Sequence, residues 1–166
     1  MDPGISNTGW GFLCEGKPCM PPNQLHVALS LRGRCSGVLT TSKGRLRDKR
    51  DTLLVGVQEL LDAFRPDVVA VETQVRWVGL AVAWCVCCTV DCMAPFNFGH
   101  HESPRLEHVS AREAKFSLGV KPKAGKPALK AAVLDVLGFD APTQHEADAA
   151  AVAYCAWLRL RGGSPK

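Results

Sequence analysis

The stretch that decides the fold is DVVAVE (67–72). Its apolar residues run without a polar break and end in an acid. A continuous apolar run of this kind suits a strand buried on both faces, as in the parallel part of a sheet. On its amino side, RDKRDTLLVGVQELLDAF (47–64) places Leu53, Leu54, Val57, Leu60, Leu61 and Phe64 at the spacing of an amphipathic helix. The Arg65-Pro66 step ends that helix, because proline disfavours the helical region for the residue before it.

Working outward, TGWGFLC (8–14), LHVALSL (25–31) and SGVLTT (36–41) read as strands, the first two separated by the turn-rich EGKPCMPPNQ (15–24). Downstream, an apolar helix is expected over 78–92, then a loop containing PFNFGHHESP (95–104) and a short strand at LEHV (106–109). Ser110, with Glu113 three residues on, predicts the start of a helix. The stretch GVKPKAGKP (119–127) leads into a helix at 128–137, and DAPTQ (140–144) caps a last, alanine-rich helix over about 145–160. The order predicts an α/β fold: a mixed sheet, antiparallel meander first and parallel crossovers after, flanked by helices. Residues 1–161 are expected to form a single domain and 162–166 a flexible basic tail. Ligands in such sheets gather where the parallel strands end.

Composition narrows the classes. A length of 166 residues allows one domain with a real core, and 46% hydrophobic against 22% charged residues excludes a disordered chain. A net charge of +4 permits a polyanionic partner without requiring one. No basic run followed by an apolar stretch opens the chain, so no secretory signal is expected. The uncharged run between Arg76 and Asp91 is shorter than the roughly 18 residues of a membrane span. A cytoplasmic protein with no membrane contact is the expectation. The eight cysteines are then expected to stay thiols and pack as small apolar groups. Structural zinc asks for paired C-x-x-C knuckles from two segments. Only the region around Cys85, Cys87 and Cys88 approaches that, inside the apolar helix.

Three acids stand out. Asp2 precedes a Pro-Gly turn, Glu72 ends the buried strand, and Asp148 lies in the first turn of the last helix, three residues after His145. Positions three apart share a helix face, so His145 and Asp148 can address one spot. Glu146 is rotated away and reads as a solvated carboxylate or one facing the helix N-terminal dipole. Carboxylates converging from separate elements repel unless Mg²⁺ or Mn²⁺ sits between them. Two such ions about 3.5–4 Å apart can activate a water and stabilise a leaving oxyanion in phosphodiester hydrolysis. Taken singly, each residue also serves as a turn former, a surface partner or a helix cap.

DPGISNTGWG (2–11), VVAVE (68–72) and HEADAAAVA (145–153), in that order, resemble the three signature segments of the RuvC family of Holliday-junction resolvases, which have a ribonuclease H-like fold. The resemblance covers nearly the whole chain. It implies metal ligands and catalytic residues at Asp2, Glu72, His145 and Asp148, with two Mg²⁺ or Mn²⁺ ions. His145 would act as a neutral imidazole, ligating metal or moving a proton, and would lose that role once charged. VSAREAKFSLGVKPKAGK (109–126) is similar to the family stretch that contacts the scissile strand. The likeness implies that Lys115 and Lys126 bind phosphates and stabilise charge building on the transition-state phosphorus, Lys126 being placed among the catalytic residues. Arg112, Lys121 and Lys123 sit beside them. In the family the first aspartate ends a central strand; here only Met1 precedes Asp2, so that strand is expected to be missing or truncated. The family often carries an aromatic wedge three residues after the glutamate. That position is Val75 here, and Trp77 is the nearby residue able to stack on bases or to pack in the core. The implied function is resolution of four-way DNA junctions by paired nicks from a homodimer, with a branch-migration helicase as a possible further partner. The alternatives are a related nuclease acting on other branched or RNA-containing substrates and a catalytically weakened junction-binding protein. A sugar-kinase-like ATPase, suggested by D-P-G-x-x-x-T-G alone, would need a duplicated domain that this length does not hold.

Overall fold

The computed structural model describes residues 1, 6–18, 35–41, 44–73, 83, 86–87 and 104–162. Strands β1 (Asn7–Gly11), β2 (Leu13–Cys14), β3 (Lys17–Pro18) and β4 (Ser36–Thr40) precede helix α1 (Leu46–Phe64). Strands β5 (Val68–Thr73) and β6 (Arg105–Ser110) follow, then helices α2 (Ala111–Ser117), α3 (Lys126–Leu137) and α4 (Gln144–Leu160). β1 pairs antiparallel with β4, β2 antiparallel with β3, and β5 parallel with β6, Val68 opposite Arg105 and Thr73 opposite Ser110. Both the antiparallel and the parallel parts of the expected sheet are present. Among the described residues they are separate two-stranded sheets.

The helices cover β5 from both sides, and strand alternation explains how. Val69 and Val71 face α1, clustering with Val57, Leu61 and the helical residues Ala83 and Val86. Ala70, pointing the other way, clusters with Ala147, Ala150 and Ala151 of α4 and with Val109 of β6. β1 repeats the scheme: Trp10 packs on Leu60, Ala63 and Phe64 of α1, whereas Gly9 and Gly11 lie against α4. Val57, Val71, Val109, Val133 and Val152 are fully buried, each stabilising the fold by roughly 1.5–3 kcal/mol relative to exposure.

Several expectations need correcting. The segment 8–14 is not one strand: it breaks at Phe12, and β2 turns back into β3 through Glu15 and Gly16, both with positive φ (51° and 80°). That tight two-residue connection twists with its strands. The C-cap Arg65 is left-handed (φ 42°), its N–H bonding to the Leu61 carbonyl. α3 begins at Lys126, two residues earlier than expected, with Pro127 in its first turn, where its missing N–H costs nothing. Ser110 and Thr143 are N-caps as read. Cys14 is disulfide-bonded, so the expectation that all the cysteines stay thiols fails there. The strand expected at 25–31 lies outside the described residues. So do most of the helix at 78–92 and the loop at 95–104; Ala83, Val86 and Cys87 of that helix are described and helical. Among the described residues no helix is long and apolar enough to cross a membrane.

Candidate active site

β5 brings Glu72 to the carboxyl end of a parallel pair, half-buried. The neighbouring position on its outer edge is held by Met1. The Met1 amino group donates to the Ala70 carbonyl at 2.5 Å, and the Met1 carbonyl accepts from the Glu72 N–H at 3.0 Å. That pair of bonds is a parallel bridge opposite Val71. The residue before Asp2 is therefore fixed beside the residue before Glu72. Asp2 itself lies outside the described residues, as does Trp77.

The second component is the first turn of α4. Thr143 caps it, its hydroxyl accepting from the Glu146 N–H at 3.2 Å. Asp148 accepts from the Gln144 side-chain amide at 3.0 Å, which orients one carboxylate oxygen. His145 and Asp148 are both half-buried. The turn is seated on β1 by close approach: a Cβ built on Gly9 would lie 2.1 Å from the His145 carbonyl oxygen. Only glycine permits that contact. The sequence signature T-G-W-G thus has a physical cause in the helix it supports.

Glu146 corrects its sequence reading. It is at the third helical position, near the helix dipole, but it is 6% exposed rather than solvated. Its carboxylate accepts the Ser36 hydroxyl at 2.6 Å and the Thr143 hydroxyl at 3.1 Å, tying α4 to β4. Burial lifts the Cys35 thiol above its ordinary pKa, and the nearby Glu146 charge adds to the lift. The T-x-x-E spacing from Thr143 was a usable signal for a capping role; nothing local pointed to Ser36.

The basic segment is described in full. Lys126 is the first residue of α3, and Lys121, Lys123 and Lys126 are exposed. Arg112 lies over the Phe116 ring, 5.4 Å from its centroid. Lys115 donates to the carbonyls of Pro122 (3.1 Å) and Ala124 (3.2 Å), clasping the loop that carries the other lysines. Glu113 closes a capping box with Ser110 and pairs with Arg159 at 2.6 Å. The Ser110 hydroxyl and N–H hold its carboxyl below the usual range, Arg159 adding to the effect. Arg159 also donates to the His108 carbonyl at 2.8 Å, joining α4 to α2 and β6.

Among the described residues no three His, Cys, Asp or Glu side chains converge as a metal-holding group. Glu72, His145 and Asp148 alone are therefore not a complete cage. The donor chemistry of the set completed by Asp2, carboxylate oxygens with one imidazole, suits a hard divalent cation such as Mg²⁺ or Mn²⁺.

Antiparallel and parallel pairs between helical layers, with acids at a strand end and a helix start, are features of the ribonuclease H-like α/β class. A solved Thermus thermophilus RuvC structure superposes on the chain with TM-score 0.65 at 24% identity, covering 99% of this chain and 95% of that one. A second, T. thermophilus RuvC in complex with Holliday junction substrate, gives 0.66 at 24% identity and covers 99% and 94%. The crossover junction endodeoxyribonuclease RuvC of Aromatoleum aromaticum is 30% identical over 93% of this chain and 77% of its own length. That of an Azoarcus species (strain BH72) is 29% identical, over 93% and 78%. No protein-family model matches. The chain belongs to the RuvC family of crossover junction endodeoxyribonucleases.

Proposed function

We propose that this protein is a divalent-metal-dependent endonuclease that resolves four-way DNA junctions by paired nicks. Asp2, Glu72, His145 and Asp148 would hold two Mg²⁺ or Mn²⁺ ions, which would activate a water and stabilise the leaving oxyanion. The observation that carries the reading is the bridge of Met1 to Val71, which sets the chain entering Asp2 next to the strand ending in Glu72. The seating of α4 on Gly9 supports it from the other side. Gln144 orients Asp148, and His145 ligates metal or handles a proton. Lys126, at a helix start and in water, serves the scissile phosphate, with Lys115, Lys121, Lys123 and Arg112 contacting phosphates around it. Trp77 stacks on exposed bases at the crossover. A two-fold homodimer suits a nearly two-fold junction and delivers the two nicks to opposing strands. A helicase that moves the branch point is the partner such an enzyme would work with.

The test is cleavage of a synthetic four-way junction against linear duplex of the same sequence, with and without Mg²⁺. Junction cleavage should dominate, and Glu72→Gln, Asp148→Asn or Lys126→Met should each lower it at least ~10²-fold, as loss of a transition-state charge contact does. Equal rates on both substrates, insensitive to Glu72→Gln, would remove the junction assignment. A gel shift of the junction without metal and without any cutting would move the protein to the junction-binding alternative.

A further inference from the structure

The outer face of α2 carries Arg112 with Lys115 and Phe116, three and four positions on. The inner side is filled, with Ala114 and Leu118 buried in the core shared with α4. Five large apolar side chains are exposed among the described residues, and Phe116, 36% exposed, is the one aromatic. Trp10 and Phe12 pack on Phe64, and Tyr154 stacks on Trp157. Phe116 instead lies under the Arg112 guanidinium, 5.4 Å from the ring centroid.

The ring also stands at the root of the basic loop. The Phe116 carbonyl accepts from the Gly119 N–H at 2.9 Å, and the Lys115 carbonyl accepts from the Val120 N–H at 2.9 Å. These bonds turn the chain back, so that the Lys115 ammonium reaches the Pro122 and Ala124 carbonyls. Lys121, Lys123 and Lys126 are exposed along the same stretch. A scattered apolar side chain on a surface is ordinary. An aromatic ring set among exposed cations is a different pattern, the one by which proteins hold a nucleic acid strand: cations take the phosphates and the ring takes a base.

We propose that Phe116 is a stacking platform for one nucleobase beside the four-way crossover, and that it serves to tell branched from linear DNA. Resting on the junction reading above, this role adds a residue that touches a base rather than the backbone. In linear duplex both faces of an interior base are covered by its neighbours. Strand exchange interrupts that stacking, and a base with an uncovered face is drawn out at the smallest cost. Phosphates are present in either DNA, so the lysines bind both; the ring gains only from the branched one. Arg112 fits the scheme as a placeholder. An exposed guanidinium–ring pair is weaker than a base–ring stack, so the base displaces Arg112 from the ring and leaves its charge for the adjoining phosphate.

The test measures binding of the full chain to a four-way junction and to linear duplex of the same sequence, without divalent metal so that nothing is cut. Phe116→Leu, which keeps apolar bulk and lacks the π face, should weaken junction binding about fivefold or more and leave duplex binding within about twofold. Phe116→Trp should bind the junction at least as tightly as the parent. Lys121→Ala should weaken both DNAs alike, and Leu134→Ala, which trims another exposed apolar side chain, neither. Removing single bases around the crossover then finds the partner. At one position the abasic junction should lose for the parent the same factor that Phe116→Leu loses, and nothing further for Phe116→Leu. A junction preference unchanged by Phe116→Leu, or additive losses at every abasic position, overturns the proposal and leaves the nuclease reading standing. A parent that binds junction and duplex equally overturns both.

Discussion

Replacing Gly9 by alanine puts the contact between β1 and α4 to a direct test. The added methyl would lie 2.1 Å from the His145 carbonyl oxygen and 2.6 Å from the carbonyl carbon. Carbon–oxygen contacts settle at about 3.3–3.6 Å, so the strand and the first turn of α4 must part by roughly 1 Å. The obstacle is backbone, which cannot swing aside as a side chain does. The cost therefore falls at the upper end of overpacking penalties, about 3 kcal/mol. For a chain of this size that lowers the melting temperature by roughly 6–12 °C. The same displacement moves His145 and Asp148, and a misplacement of about 1 Å costs on the order of 10² in rate. Gly11→Ala is the control: its methyl would sit 3.5 Å from the Ala150 nitrogen, an ordinary contact. Calorimetry and junction cleavage measure the two effects separately. If Gly9→Ala melts together with Gly11→Ala and the parent, the close-approach argument is refuted.

Three further outcomes follow from the same geometry. Ser36→Ala removes a hydroxyl from a buried carboxylate and should cost about 1–3 kcal/mol. Thr40→Ala, which loses only an exposed 3.3 Å bond to Asn7, should stay within about 0.5 kcal/mol in the same denaturant titration. Glu113 has its pKa held down by Ser110 and Arg159. Its contribution is therefore complete above the ordinary glutamate pKa and is lost as pH falls through the lowered one; melting temperature against pH should fall less steeply over that acid window in Glu113→Gln than in the parent. Cys155 is fully buried, with its thiol pKa raised mainly by burial, so iodoacetamide should label it only as denaturant unfolds the chain, and labelling in the native protein would contradict that burial.

What could be read from the sequence depended on how local its cause was. The buried strand at 68–73, α1 and the capped starts of α2 and α4 follow from runs, periods and caps within a few residues. The turn at Glu15 and Gly16 fell within the stretch read as turn-rich, whereas the break at Phe12 ahead of it carried no separate signal. Helix periodicity placed Glu146 away from His145 and Asp148 but could not say that Ser36, 110 residues earlier, would meet it. Gly9 was visible as part of a signature, yet its reason lies in α4. For the candidate site, the order of Glu72, His145 and Asp148 was legible, whereas the pairing of Met1 with β5 needed the fold.

The clasp of Lys115 on the Pro122 and Ala124 carbonyls bears on binding speed. A loop already shaped in the unbound protein gives up little freedom when it meets a polyanion. In the proposed function, where this loop meets DNA phosphates, encounter would then be limited by diffusion and ionic strength rather than by the loop finding its form. Cutting the clasp would show up first as slower association, before any loss of the final complex.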